Sequence, residues 1–559
     1  MSPNFRQSMA WVHTWFGLVV GFVLIVVFFF GTLSVFDREI DRWSLPNTRF
    51  EPQPMPSFDK VLLPASRLAT PTDEAMAEGQ ALSKTPLPSR QDLVADEIWA
   101  YTTHRDPLLR MGVDFAVPNP IDPHAHNHIG SDLTIDPRSG QPISSSQLAL
   151  GTGFIFPMHY SLHLHWAHLG IWLVGLCGLV LMAGLVSGVV IHRKIFREFF
   201  TFRPNKHLQR STLDLHNLTG VVALPFHFFF GLTGLMIFAA IYLPITDTQL
   251  KPLHERHEAA AHAAKGLPEH RAGVAAPLAS VDAMVQDAKA RWAARGMPGE
   301  VGFLQIHHLG DANSYVSLHR AGSDRVALVG QTIHYAGATG RLLHEEPERS
   351  KAAGLHEFFV GLHLQHFEHW ALRWLYVLGG LLGCACIATG FVFFVEKRKA
   401  QHARQGRSGA RWVDALAVTS VTGMVLATLV LLCSNWVLPT QLSERAQWQE
   451  RLFWGAWLLS FVHAAWRSAP VALARRNPAW AEQCWAVAAL ALLAVLLNAW
   501  ATGDALWRTL PQAYWPVAAM DICLLLTAGV SAWAARRLGR ARQGQSATVT
   551  PLRQEGAHA

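Results

Sequence analysis

The chain has 559 residues, 50% hydrophobic and only 16% charged, with 30 Phe, 21 Trp and a net charge of +7. That balance excludes a disordered chain and fits membrane spans joined to folded polar segments. The positive excess gathers in short loops between apolar segments, where anionic lipid accounts for it, so no nucleic-acid partner is expected.

In chain order, apolar segments lie near 11–36, 166–191, 217–243, 372–395, 412–438, 452–466, 482–500 and 514–534. Most reach the ~20 residues that a helix needs to cross a bilayer, and the sixth is the shortest. The fold class expected is a mainly α integral membrane protein of about eight transmembrane helices. The divisions expected are a first span at 1–36, a polar segment at 37–158, a second span at 159–192 and a basic loop at 193–212. A third span at 213–243, a second polar segment at 244–355, a fourth span at 356–396 and a linker at 397–411 come next. Four additional helices at 412–535 and a tail at 536–559 complete the chain. The first span reads as an uncleaved anchor: it is too long for a signal peptide, and Asp37-Arg38-Glu39 stands where a small-residue cleavage site would be.

Arg193, Lys194, Arg197, Arg203, Lys206 and Arg210 follow the second span. Lys397, Arg398, Lys399, Arg404, Arg407 and Arg411 follow the fourth, and Arg475, Arg476 and the tail arginines agree with them. The positive-inside rule then puts both termini in the cytoplasm and the two polar segments outside. Those segments are too long for bare loops. A helical patch at Val281–Trp292 and alternation at Tyr315-Val-Ser-Leu predict a small α+β domain in each. All six cysteines fall in predicted spans, so the outer domains need no disulfides, and Cys384 and Cys386 read as packing residues. No C-x-x-C-H motif is present.

The first and third spans are one helix written twice. His13, Gly17 and Gly31 match His216, Gly220 and Gly234 with a constant shift of 203 residues. Each trio recurs at about one and about five helical turns, which places it on one stripe. A stripe of small residues admits something bulky, and the histidine at its end can hold a metal. Trp172, Gly178 and Gly188 match Trp374, Gly380 and Gly390 with a shift of 202, and the turn ending at Gly140 matches the one ending at Gly340. The unit of span, outer domain and span is therefore present twice, giving a 2+2 core with four helices added. A pseudo-two-fold along the membrane normal relates parallel repeats of this kind.

Paired imidazoles at one depth suit a bis-histidine haem, with interfacial capping as the rival reading of His13 and His216. His192 precedes Arg193 and Lys194, so snorkelling competes with ligation there. At the outer end, His159 and His163 are spaced as i and i+4, and the duplication pairs His163 with His363 as candidate ligands of a second haem. His227, eleven residues beyond His216 and beside Pro225, is either a core histidine or a haem contact. His124-Ala-His126-Asn-His128 could line one face of a strand as a small metal site, and His307-His308 is a weaker candidate. There is no G-x-G-x-x-G after a strand and no P-loop, so no flavin, NAD or ATP site is expected, and electrons must come from a separate donor.

Arg6-Gln-Ser-Met-Ala-Trp-Val-His13-Thr-Trp-Phe-Gly17, Leu215-His216-Asn-Leu-Thr-Gly220, Ala223-Leu-Pro-Phe-His227 and Gly361-Leu-His363 leading to Ala388-Thr-Gly390 resemble the PepSY-associated transmembrane helix proteins over residues 5–400. That family includes bacterial inner-membrane ferric-siderophore reductases with two b-type haems. The resemblance implies PepSY domains in the outer segments, bis-histidine ligation of two haems, and a ferric siderophore as substrate. His366, Glu368 and His369 at the start of span four, and the four added helices, depart from the pattern. The function expected is haem-dependent electron transfer across the membrane, reducing ferric siderophore on the periplasmic side. Two rivals stand beside it: a quinol-linked cytochrome b feeding another periplasmic oxidoreductase, and a non-enzymatic PepSY protein that binds peptides or regulates a protease.

Overall fold

The computed structural model describes residues 3–121, 127–143, 150–192, 202–203, 208–242, 263–327, 331–347, 350–405, 409–468 and 477–547, with scattered positions between 252 and 260. His124, His126 and much of the basic loops, including Arg193, Lys194, Arg197, Lys206, Arg407, Arg475 and Arg476, lie outside the described residues. The chain divides into a helical unit (Met1–Pro46, Leu148–Leu235 and Ala371–Ala559) and a sheet unit (Asn47–Gln147 and Met236–Trp370).

The helical unit opens with α1 (Pro3–Val19) and α2 (Gly21–Ser34), followed by the short α3 (Asp37–Ser44). Next come α4 (Leu169–Ile191), α5 (Leu208–Val222), α6 (Leu224–Ile237) and α7 (Trp370–Arg404). The added part holds α8 (Gly409–Val418), α9 (Met424–Val437), α10 (Arg445–Arg467), α11 (Ala479–Thr502) and α12 (Trp515–Ala547).

Neither the first nor the third span is one straight helix. α1 and α2 meet at 64° about Val20, and α5 and α6 meet at 63° about Ala223, so the two breaks repeat the 203-residue shift. Pro225 explains the second, since it has no N–H for the Val221 carbonyl. The first has no proline; Gly17 and Gly21 flank it instead, and glycines are a recognised cause of sharp bends. The single glycine stripe expected along each span is therefore interrupted, and His216 and His227 do not share one straight face.

Among the described residues, five helical stretches are long and apolar enough to cross a membrane, or seven if each bent pair is one span. One of the eight expected stretches, the sixth, does not pass on length and composition. The segment near 452–466 does form a helix, the 23-residue α10. Arg445, Glu450, Arg451 and Arg467 make it too polar to pass as a span on composition alone.

The added helices are not a loose appendix. Phe30 of α2, Phe391 of α7, Leu431 of α9, Phe453 of α10, Val487 of α11 and Val517 of α12 belong to one apolar core. Polar contacts fix it: the fully buried Asp521 accepts from Trp43 Nε1 at 2.8 Å and from Asn498, and Asn435 donates to the Ser44 carbonyl at 2.8 Å. Arg373, 1% exposed, reaches Glu39 at 2.8 Å and the Val35 carbonyl at 2.7 Å. Burying such groups is tolerable because each finds a partner.

In the sheet unit, β1 (Ala95–Tyr101), β2 (Leu109–Ala116) and β3 (His128–Ile135) come from the first polar segment. β4 (Val301–His307), β5 (Tyr315–Arg320), β6 (Thr332–Ala336) and β7 (Leu342–Glu345) come from the second. They form one antiparallel sheet in the order β3-β2-β1-β4-β5-β6-β7. The two segments expected as separate α+β domains are thus halves of one domain. The physical reason is that β1 and β4 would each be an open edge alone, and pairing them removes both. Ile98 faces Ile306 and Ala100 faces Leu304 across the join.

One core beneath the sheet joins Phe58, Leu62, Ile98 and Met111 to Val281, Trp292, Leu304 and Tyr335. The expected helix is present as Val281–Ala294, capped by Ser280. It exchanges caps with the turn at Ser57: Asp282 accepts from the Phe58 N–H at 2.8 Å, and Asp59 accepts from Ser280 Oγ at 2.6 Å. The paired turns also agree: Gly140 and Gly340 both have φ +70°, and each donates to a carbonyl four residues back at 2.8 Å.

Candidate functional site

A cavity of about 390 Å³ opens inside the helical unit, lined by α1, α2, α4, α5, α6 and α7. His13, His216, His192 and His227 face it, together with Gly17, Gly21, Gly184, Gly188, Gly220, Gly383 and Gly390. The helices supply glycine where a side chain would otherwise fill the space. Lys397 and Arg398 line the cavity as well, with the Arg398 guanidinium 3.8 Å over the Phe394 ring.

Two histidines in this cavity are held alike. His13 Nδ1 lies 3.1 Å from the Gly184 carbonyl oxygen, and its ring rests against Gly188, where a Cβ would come within 3.4 Å of Cε1. His216 Nδ1 lies 2.7 Å from the Cys386 carbonyl oxygen, and its ring rests against Gly390, again at 3.4 Å. In both, the carbonyl belongs to the residue four before the glycine. The logic is local: a glycine without Cβ lets an imidazole from the neighbouring helix reach the carbonyl one turn back. Since a carbonyl only accepts, Nδ1 must carry the proton, and Nε2 is left with its lone pair. No hydrogen bond engages either Nε2 among the described residues.

The two ring centroids are 6.1 Å apart, at 82° to one another. Two imidazoles on opposite sides of one metal span ~6.2 Å, from two bonds of ~2 Å and ~1.1 Å from each ring centre to its nitrogen. The distance therefore fits a bis-histidine metal. His227 adds a second sign of fit. It is 3% exposed, its Nε2 is buried without a hydrogen-bond partner, and its ring stands edge-on to Phe28 at 5.4 Å. A buried polar atom left in that state is uncommon.

The remaining sequence candidates divide. Gly17 and Gly220 line the cavity, whereas Gly31 does not. Gly31 supports a third histidine of the same kind: His159 Nδ1 lies 2.9 Å from the Val27 carbonyl oxygen, four residues before Gly31. A Cβ at Gly31 would come within 2.7 Å of the His159 ring. Gly234 sits on α6, away from the cavity lining. His192 ends α4 and lines the cavity.

His159 and His163 do not share a helix face as their spacing suggests. A one-turn helix, Phe156–Tyr160, stops one residue after His159, and Leu162 and His163 take φ of +52° and +54°. His163 turns away, bonding the Phe154 carbonyl through Nε2 at 3.0 Å and stacking on the Phe154 ring. His363 lies in the last turn of the helix Lys351–Leu364, in the sheet unit.

Gly184, Gly188, Gly383 and Gly390 are site residues that sequence reasoning did not assign. Gly188 and Gly390 were detectable as a repeated pair. Cys386, expected as packing, acts through its backbone carbonyl, and its Sγ is 3.5 Å from His216 Nδ1. It is the counterpart of Gly184 at the same 202-residue shift, which was the available clue.

The family model described as PepSY-associated TM region matches residues 10–397. A Pseudomonas aeruginosa protein, named Uncharacterized protein PA4219, is 27% identical over 305 residues, covering 51% of this chain and 73% of its own length.

Proposed function

The chain belongs to the PepSY-associated TM region family, and we propose that it is a haem-bearing membrane oxidoreductase that reduces ferric iron held in a chelate. The observation that carries this reading is the His13–His216 pair, with ring centroids 6.1 Å apart in a glycine-lined cavity. Bound haem would supply one-electron chemistry between ferric and ferrous iron. His13 and His216 would hold it through Nε2, while the Gly184 and Cys386 carbonyls fix the tautomer and the ring planes. Lys397 and Arg398 would meet its carboxylates.

For the second b-type haem that the family resemblance implies, His159 is a better ligand candidate than His163. It repeats the carbonyl-and-glycine seating of His13 and His216, with Val27 and Gly31 as the partners. His163 spends Nε2 on a carbonyl.

The substrate class is a ferric siderophore on the periplasmic side of a bacterial inner membrane, with the two halves of the sheet unit as PepSY-like domains. Counting α10 as a further crossing makes the number of spans even and leaves both termini cytoplasmic. Each reduction places one electron, from a donor outside this chain, on Fe(III); the lower charge of Fe(II) loosens hard oxygen donors, so iron leaves without cleavage of the chelator. The test is anaerobic. Dithionite-reduced full-length protein, freed of excess dithionite, is mixed with ferrioxamine, and haem reoxidation with stoichiometric Fe(II) trapping is expected. Reduced haem that persists for many minutes in its presence would contradict the assignment.

A further inference from the structure

A second group of ligating side chains lies in the sheet unit, clear of the haem residues. The register between β1 and β2 slips between Ala95 and Glu97. Successive strand residues normally face opposite sides of a sheet, but a bulge re-aims them. Here Asp96 and Glu97, neighbours in sequence, each bring an oxygen into one cluster with His128 at the start of β3, and the three ligand atoms lie within 4.8 Å of one another. His128 Nε2 is 3.1 Å from Asp96 Oδ2, and Glu97 Oε1 is 2.9 Å from His307 Nδ1.

Further polar groups crowd around this cluster. As the chain leaves β4, His308 adopts φ +55°, a conformation that non-glycine residues rarely take. Its Nδ1 is buried without a hydrogen-bond partner, 3.7 Å from Asp96 Oδ1. That separation is too long for a hydrogen bond. Asp114, opposite Glu97 on β2, and Asp132 on β3 add carboxylates to the neighbourhood. Arg271 is the cation set against them, bonded to Asp96 Oδ1 and to the Leu309 carbonyl. With Oδ1 occupied by Arg271, Oδ2 is the oxygen left to point at His128.

We propose that Asp96, Glu97 and His128 form a binding site for one divalent first-row transition-metal ion. Mixed imidazole and carboxylate donors suit Fe(II), Mn(II) and Zn(II), whereas Ca(II) and Mg(II) favour all-oxygen shells and Cu(I) favours sulfur. Entry of the ion displaces any proton from His128 and breaks its bond to Asp96, so affinity falls in acid. The inference is independent of the haem reading, since none of these residues belongs to the helical unit.

The experiment is equilibrium dialysis of tag-free, full-length protein against Zn(II), with metal measured per protein, beside a Mn(II) titration followed by electron paramagnetic resonance. The wild type should retain one ion that Glu97→Gln and His128→Ala each weaken at least tenfold. Glu97→Gln is nearly isosteric, so it reads ligation even if His128→Ala disturbs the strand. His13→Ala should leave this ion in place, which separates failure here from failure of the haem assignment. Equal affinities in wild type and Glu97→Gln, or no ion retained by the wild type, would overturn the proposal.

Discussion

The helical and sheet units both gather histidines, but they orient them with different chemistry. In the helical unit His13, His216 and His159 each lean on a glycine and bond a neutral backbone carbonyl. Around the bulge in β1 of the sheet unit the partners are carboxylates: Asp96 for His128 and Glu97 for His307. A carboxylate beside each of these imidazoles would be costly in an apolar bundle, so the backbone supplies the acceptor and glycine the clearance. Where the strands meet water, charge is affordable and a bulge supplies the aim.

That contrast can be broken at the glycines, with the largest effects expected there. Gly390→Leu should drive the His216 ring out of its seat and lower haem per protein at least tenfold at that site, read from the pyridine haemochrome. Gly390→Ala should be mild, since its Cβ would stand 3.4 Å from the ring, an ordinary contact. Gly31→Ala is the sharper comparison: its Cβ would meet His159 at 2.7 Å. It should therefore cost one haem of two, while Gly188→Ala costs none.

A smaller effect is expected where polar contacts tie the added helices to the core. Trp43→Phe removes the 2.8 Å bond to buried Asp521 and should destabilise the helical unit by about 1–3 kcal/mol, read as a lower melting temperature in detergent. In the sheet unit, contacts from His334 and Lys265 hold the Glu346 carboxyl down to about 2, against an ordinary 4.5. A depressed carboxyl stabilises the fold above its unfolded pKa and loses that contribution as pH falls through the folded value. The sheet unit should therefore weaken between about pH 4.5 and 2, and Lys265→Met should narrow that window from below, as followed by near-ultraviolet dichroism. The smallest effect belongs to Cys386→Ala. The carbonyl that seats His216 remains, so haem content should stay within twofold of the wild type; a large loss would show that the thiol matters.

The duplication was the most legible feature. It placed His13 beside His216, matched the turns at Gly140 and Gly340, and located the repeated glycines at Gly188 and Gly390. Other features depend on geometry that pattern does not carry. The bend at Val20 has no proline to announce it. His163 looked equivalent to His363 by register, yet left-handed backbone at Leu162 and His163 separates it from His159. Cys386 was judged by its side chain, whereas the structure uses its carbonyl. The joining of β1 to β4 pairs two edges from segments far apart in sequence, and strand alternation alone does not say which edge finds which partner.

The pairing of two imidazoles across the helical cavity is tested most directly by counting haem. Pyridine haemochrome analysis of purified full-length protein should give two haems per wild-type chain, with one lost in His13→Ala and the same one lost in His216→Ala. A wild type without a Soret band, or variants that keep the full complement, would contradict the account.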